Sequence, residues 1–426
     1  MDSTTFLVIA VIAIIGQSFL LFLALFEPGL DYEIAKPPSA ALDSTDFLRT
    51  LEALTDARLT KRSSIEVLTN GEVYYEAELE AIRAAKHSIN LEAYIFQKGK
   101  VADRFVEALT ERARAGVRVN LVLDAIGSFA TWNSYFKDFY AAGGRVAWYH
   151  GFHWHTLARI NNRTHRELII IDGEIGFVGG AGFADHWLHA KKGHPRWRDT
   201  MFRVEGEAVT QLQATFAENW LEASGEILSG HDYFPLCKDE EHTPALVVNS
   251  SPSAGRSTRA RILYQMLLAS AKESILVTTP YFLPDRSARA EMIRAITERG
   301  VNVQVIVPGQ KSDHLLTRRS SRRLYGDLLK AGAQIYEYEP SMMHTKSLVI
   351  DRTWSVVGTT NFDNRSFGLN DEVNLAALDE ELAARLVEDF ELDKSHSRAV
   401  SYEQWQRRSI FERAHEMFGW LLERQQ

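Results

Sequence analysis

One frame of residues occurs twice in this chain, about 180 positions apart, and any fold it adopts must house both copies. The second copy reads His344-Thr345-Lys346-Ser347-Leu348-Val349-Ile350-Asp351 and continues to Gly358-Thr359-Thr360-Asn361. The first reads His165-Arg166-Glu167-Leu168-Ile169-Ile170-Ile171-Asp172 and continues to Gly179-Gly180. His to Asp spans seven residues in both, and so does Asp to the first Gly. The flanks repeat as well. Ala85-Lys86-His87-Ser88-Ile89 is echoed by Ala271-Lys272-Glu273-Ser274-Ile275, and Thr110-Glu111-Arg112 by Thr297-Glu298-Arg299. A period this long is not that of a solenoid. It predicts two similar α/β domains packed face to face, as does a length of 426 residues, more than one core usually organises. Within each copy, apolar β-rich runs such as residues 89–96 and 117–123 alternate with amphipathic stretches, which implies parallel crossovers and a buried sheet.

The frame carries chemistry as well as topology. A His and a Lys two apart on a strand point to one face. An imidazole beside a fixed ammonium, near a Gly turn that offers backbone N–H groups, suits a phosphate ester. The His can attack phosphorus or move a proton, while Lys346 and Asn361 hold the non-bridging oxygens. For one copy alone there is a blander reading, a strand whose His and Lys face solvent. Two copies with the same spacings in a duplicated chain make coincidence a poor account.

The net charge of −8 counts against a nucleic-acid partner, because phosphate backbones are held mainly by Lys and Arg. A single cysteine, Cys237, excludes an intramolecular disulfide framework and a multi-Cys zinc site. Residues 6–26 carry no charge, and a helix of that length spans roughly 30 Å, the hydrocarbon thickness of a bilayer. A secretory signal peptide is the competing reading, but it wants a basic n-region, a shorter apolar stretch and a small-residue cleavage site. The expectation is therefore a transmembrane anchor over residues 1–27 and a cell-membrane location. The anchor's orientation stays open, since no Lys or Arg precedes Lys36. A linker over 28–45, a first domain over 46–236, a linker over 237–252 and a second domain over 253–426 complete the expected organisation.

On these motifs the chain resembles the phospholipase D superfamily, whose signature is H-x-K-x4-D with a downstream Gly pair and Asn, and within it the bacterial cardiolipin synthases. Supporting stretches are Pro280-Tyr281-Phe282-Leu283-Pro284-Asp285, Trp197-Arg198-Asp199, and 364–372 with its Asn-Arg-Ser block. The resemblance covers roughly residues 60–425. It implies two phospholipase D-like α/β/α domains forming a pseudo-dimer, and phosphatidyl transfer between two phosphatidylglycerols through a phosphohistidine. On that pattern His165 is the nucleophile and His344 the general acid, each oriented by a downstream acid, Asp199 or Glu372. Asp172, Asp351, Gly179, Gly180, Gly358 and Thr359 support the motif. No metal or cofactor is implied. A phospholipase D-type hydrolase, transfer to another alcohol, a membrane-tethered nuclease and a lipid-binding homologue without turnover are the other functions the same frame allows.

The first copy departs from the signature twice. Glu167 stands where the Lys belongs, and Gly182 where Asn361 stands in the second copy. A charge about 4 Å from a phosphate is worth roughly 4 kcal/mol at an effective dielectric near 20, so reversing it calls for compensation. Arg163, Arg166, Arg198 and Lys346 are the candidate compensators. Two readings follow: an active enzyme with a rebuilt half-site, in which the two histidines can also exchange roles, or a dead half-site. Weaker signals surround the frame. His150, His153, His155, His186, His189 and His194 match no metal-ligand spacing. Trp148, Tyr149, Phe152 and Trp154 suit either a headgroup layer or ordinary core packing. Residues 402–424 suit either a membrane surface or the second domain.

Overall fold

The structure is a computed structural model, and it describes residues 3–26, 32–34, 38, 40–151, 161–191, 193, 195–236, 243–251, 259–409 and 412–413. A two-residue strand, β1 (Leu59–Thr60), precedes the seven strands of the first sheet. These are β2 (Ser63–Thr69), β3 (Ser88–Ala93), β4 (Arg118–Asp124), β5 (Arg145–Tyr149), β6 (Leu168–Ile171), β7 (Ile175–Gly179) and β8 (Thr200–Gly206). The second half supplies β9 (Ala245–Ser250), β10 (Ser274–Thr278), β11 (Asn302–Pro308), β12 (Gln334–Tyr338), β13 (Ser347–Ile350), β14 (Trp354–Gly358), β15 (Glu372–Leu378) and β16 (Ser397–Val400).

The first sheet runs β2-β8-β7-β6-β3-β4-β5 and the second β1-β9-β15-β14-β13-β10-β11-β12-β16. Without the edge strands β1 and β16, the two orders are the same. In both halves the run from the third crossover strand inward is parallel (β3-β4-β5, β10-β11-β12), and the motif strands β6 and β13 add antiparallel. The duplicated frame has thus produced a duplicated topology.

Three apolar cores hold five layers together, the central one enclosing the middle layer. Helices Gly71–Ala84 and Lys100–Arg114 cover the outer face of the first sheet, burying Tyr74, Leu79, Phe105 and Leu109. Helices Arg259–Ser270, Arg286–Arg299 and Leu315–Ala331 cover the outer face of the second. Between the sheets lie two helices, Glu207–Ser224 and Glu380–Ser395, one from each half. The motif strands have apolar residues on both faces, and their period of two sorts them: Leu168 and Ile170 enter the central core, Ile169 and Ile171 the outer one. Val349 (central) and Leu348 and Ile350 (outer) repeat the assignment at the matching positions.

The N-terminal part of the expected first domain is built onto the second. Leu59 and Thr60 pair with Leu246 and Ala245, and helix Thr45–Thr55 buries Phe47 and Leu51 in the second half's outer core. The chain therefore crosses from the second half to the first between β1 and β2. Residues 3–26 form one helix of 24 residues, and Leu7, Ile12, Ile14, Ile15 and Phe19 are exposed on it. Among the described residues no helix is long and apolar enough to cross a membrane, so the transmembrane expectation is not carried by the structure. Of the expected linker over 237–252, residues 237–242 and 252 lie outside the described residues, and 245–250 form β9 of the second sheet, so the second half begins earlier than expected. Residues 414–426 of the C-terminal segment also lie outside the described residues. The described start of that segment packs on the second half, where Trp405 Nε1 donates to Arg322 O at 2.6 Å.

Candidate active site

Two short backbone bridges between the halves build the site. Before β6, Thr164 bridges to Asp371: His165 N donates to Asp371 O at 2.9 Å and Asp371 N to Arg163 O at 2.9 Å. Before β13, Arg198 bridges to Met343: His344 N donates to Arg198 O at 2.7 Å and Arg198 N to Met342 O at 2.8 Å. Each bridge sets a motif histidine beside the acid of the opposite half. Nδ1 of His344 lies 2.8 Å from Asp199 Oδ2, and Nδ1 of His165 lies 3.1 Å from Glu372 Oε2. The pairing by sequence order, His165 with Asp199 and His344 with Glu372, is corrected: it is crossed. A carboxylate at Nδ1 fixes the tautomer and leaves the chemistry to Nε2, which in His344 lies 3.3 Å from Lys346 Nζ.

Both acids are fully buried and differently supported. Asp199 accepts Trp187 Nε1 on Oδ2 at 3.0 Å and Thr200 N on Oδ1 at 2.8 Å. Burial pushes its carboxyl up, but His344 and Lys346 outweigh that and hold it below the ordinary range. Glu372 accepts the Thr359 hydroxyl on Oε2 at 2.5 Å. Gly180, at the position matching Thr359, has no hydroxyl to give. A Cβ at Gly180 would sit 2.8 Å from Asp199 Oδ1 and 3.0 Å from Lys346 Nζ, so the bare backbone admits the ammonium.

Lys346 is buried, and its Nζ donates to His344 O at 2.7 Å while lying 3.0 Å from His344 Nδ1. Burial pushes its pKa down to about 8. Burial, reinforced by Lys346, also lowers His344. Asn361 is buried with its Oδ1 unpartnered. The second half thus offers an imidazole, an ammonium and an amide in one place.

Glu167 is arranged otherwise. Its Oε1 accepts the backbone N–H groups of Tyr94 and Ile95, each at 3.2 Å, and its Oε2 has no partner. Of the proposed compensators, Lys346 faces Glu167 from across the cleft without an ion pair to it, and the three arginines are engaged elsewhere. Arg163 lies 3.4 Å from Asp124, Arg166 is 2.9 Å from Glu218, and Arg198 is 2.9 Å from Asp393. Burial instead lifts the Glu167 carboxyl well above its ordinary value. Gly182 belongs to the same change. A Cβ there would lie 2.6 Å from Ile95 O and 3.0 Å from Glu167 Oε1, so an Asn side chain has no room while Glu167 holds its present place.

The motif aspartates are not in the cleft. At the far end of β6 Asp172 accepts the N–H groups of Lys86, His87 and Ser88 at 2.7–2.8 Å. Asp351, beyond β13, accepts those of Lys272, Glu273 and Ser274, each at 2.8 Å. Both sit in left-handed backbone, with φ of 53° and 50°. Gly179 and Gly358 close strands β7 and β14, and a Cβ at Gly358 would lie 2.2 Å from Val373 O. Sequence reasoning missed the aromatic walls: Tyr94 against His165 (5.2 Å between ring centres), and Trp187 and Trp197 against His344 (5.5 and 5.2 Å). Only the Thr359–Gly180 mismatch between the two copies marked Thr359 as more than motif support. His150 pairs with Glu222, and His186 packs between Trp187 and Trp197. Phe152, His153, Trp154, His155 and His194 lie outside the described residues.

A chain doubled in this way has known relatives. A family model described as "Cardiolipin synthase, PLD-like domain" matches residues 79–220 and 264–394, one match in each half, and the chain belongs to that family. It is 35% identical over 371 residues to cardiolipin synthase 1 of Bacillus anthracis, covering 85% of this chain and 72% of that protein. To the major cardiolipin synthase of Bacillus subtilis (strain 168) it is 33% identical over 386 residues, covering 90% and 80%. Among solved structures, phosphatidylserine synthase from Haemophilus influenzae Rd KW20 shares the fold, with a TM-score of 0.67 at 14% identity, covering 89% of this chain and 99% of that one.

Proposed function

We propose that the protein is a cardiolipin synthase-like phosphatidyltransferase that joins two phosphatidylglycerols and releases glycerol. His165 Nε2 attacks phosphorus as the P–O bond to the departing glycerol breaks, and His344 supplies the proton that the glycerol oxygen takes up. A phosphatidyl-histidine remains. His344 then removes a proton from a hydroxyl of the second phosphatidylglycerol, whose oxygen forms the new P–O bond as the P–N bond breaks. Lys346 and Asn361 hold the non-bridging oxygens throughout. Burial and Lys346 lower His344; the negative phosphodiester favours its charged form, so the acid is loaded as substrate arrives.

The observation that carries this reading is the crossed pairing, which sets both imidazoles at one cleft with their Nδ1 atoms occupied. The exposed apolar side chains of the helix over residues 3–26 support a membrane anchor there. The test is turnover by full-length protein in detergent with phosphatidylglycerol, following cardiolipin, glycerol and phosphatidic acid. Cardiolipin and glycerol in equal amounts are expected. Phosphatidic acid alone makes the protein a hydrolase, and unchanged product from His344→Ala ends the catalytic reading.

A further inference from the structure

Glu167 is a carboxyl group placed where an ion has no support. It is 4% exposed, and among the described residues no cation pairs with it. A lone buried carboxylate is costly, and the ordinary resolution is that the group stays protonated. The groups that face it are Lys346 across the cleft, with Asp199, Tyr75 and Tyr94 from its own half. Lys346 favours its anion and Asp199 opposes it, while burial exceeds both. The geometry divides the carboxyl in two. Oε1 is committed as acceptor to two backbone N–H groups. Oε2 has no partner and is the atom left to carry a proton. Residues two apart on an extended segment share a face, so Glu167 lies beside His165 as Lys346 lies beside His344.

We infer that Glu167 serves the first half-site as an uncharged hydrogen-bond donor to a phosphoryl oxygen of the substrate, Oε2–H taking the place of a lysine ammonium. Gly182 is part of the device, because the missing side chain is what admits the carboxyl to the Tyr94–Ile95 amides. The cleft then binds its phosphodiester with one ammonium and one neutral acid. This rests on the phosphatidyltransferase reading above.

The test compares full-length wild type, Glu167→Gln and Glu167→Ala. The Gln amide keeps an acceptor for the two backbone N–H groups and a neutral donor for the phosphate. Turnover at pH 7 within about threefold of wild type is expected for Gln, and a fall of about 10- to 100-fold for Ala. Infrared difference spectra, wild type minus Gln, should contain a protonated-carboxyl band. A Gln variant as impaired as Ala, or a difference spectrum holding only a carboxylate band, overturns the inference. If wild type turns over no lipid, the phosphatidyltransferase reading fails separately. The infrared band and inorganic-phosphate binding by the same three proteins still decide the role of Glu167, with equal binding by wild type and Gln and weaker binding by Ala expected.

Discussion

The two half-sites share a backbone and differ in how they meet charge. The second gathers His344, Lys346 and Asn361, so it faces phosphate with a buried ammonium and a side-chain amide whose NH2 can donate. The first keeps His165 but answers with a carboxyl held by two backbone N–H groups and a glycine that makes room for it. The acids differ as well, since Asp199 is supported by an indole N–H and Glu372 by a hydroxyl. What is conserved between the halves is the crossed contact, in which neither half can orient its own histidine. A duplicated fold can let its copies diverge in their ligands as long as the exchange across the interface is kept.

The hardest test of that comparison removes a histidine from either side. His165→Ala and His344→Ala should each lower cardiolipin formation on the order of 10⁴-fold or more, because residues acting as a unit fail together. Reactions with phosphate-labelled phosphatidylglycerol, quenched in mildly alkaline denaturant because a P–N bond is lost in acid, should trap label on His165 alone. Label retained by His165→Ala and lost in His344→Ala would exchange the roles of the halves.

Lys346 separates function from stability. Replacing it with Met should cost about 10²- to 10³-fold in turnover. The same change should stabilise the empty protein at neutral pH. The lysine is pushed down to about 8 in the fold from its ordinary 10.5, so between those values the unfolded chain binds the extra proton and stability rises with pH. At pH 7 the penalty is on the order of 3 kcal/mol. Urea unfolding of wild type should therefore show stability gained from pH 8 upward, and Lys346→Met should lack that rise. No equivalent gain is expected from Glu167→Met, since it leaves the Tyr94 and Ile95 N–H groups unpaired.

The crossed pairs give the next test. Asp199→Asn and Glu372→Gln should each reduce turnover by roughly 10²-fold by loosening the histidine of the other half. The NMR titration of the His344 ring should respond to Asp199→Asn and not to Glu372→Gln. A response to Glu372→Gln alone would restore the pairing by sequence order.

Much of this was legible in the chain, and the illegible part has a common cause. The repeated frame gave two α/β halves because spacing along a strand is local information, and it gave the phosphate ligands because His344 and Lys346 are neighbours on one strand. The crossed pairing depends on where Thr164 meets Asp371 and Arg198 meets Met343, contacts more than 140 residues apart that no local spacing encodes. The same holds for the helix Thr45–Thr55, which precedes the first half but buries Phe47 and Leu51 in the second. The arginines suggested as partners of Glu167 were right in charge and wrong in place, each being taken by an acid of its own.

A smaller effect is expected from making the first half resemble the second. Glu167→Lys alone aims a cation at two backbone donors and should lower turnover about tenfold. Gly182→Asn alone collides with Ile95 O and the carboxyl. The double variant should lose less than the two single losses combined, because the lysine vacates the space the asparagine needs. Additive losses would mean that the two departures arose independently.

The least effect on chemistry, and the most even between the halves, should come from the aspartates that end the frames. Asp172 and Asp351 each satisfy three backbone N–H groups at the turn before β3 or β10, at the far end of the motif strand from its histidine. Alanine at either position leaves those donors to water and removes a residue type that tolerates left-handed backbone. Each substitution should lower stability by about 2 kcal/mol in urea unfolding, while the turnover of the protein that remains folded stays within about twofold of wild type. A selective loss of turnover in Asp172→Ala would mean that the turn before β3 reaches the cleft through Glu92 and Thr164, whose hydroxyl donates to that buried acid at 2.5 Å. Equal and purely structural losses would show that the duplicated frame has two ends with different duties, one diverged for chemistry and one kept for folding.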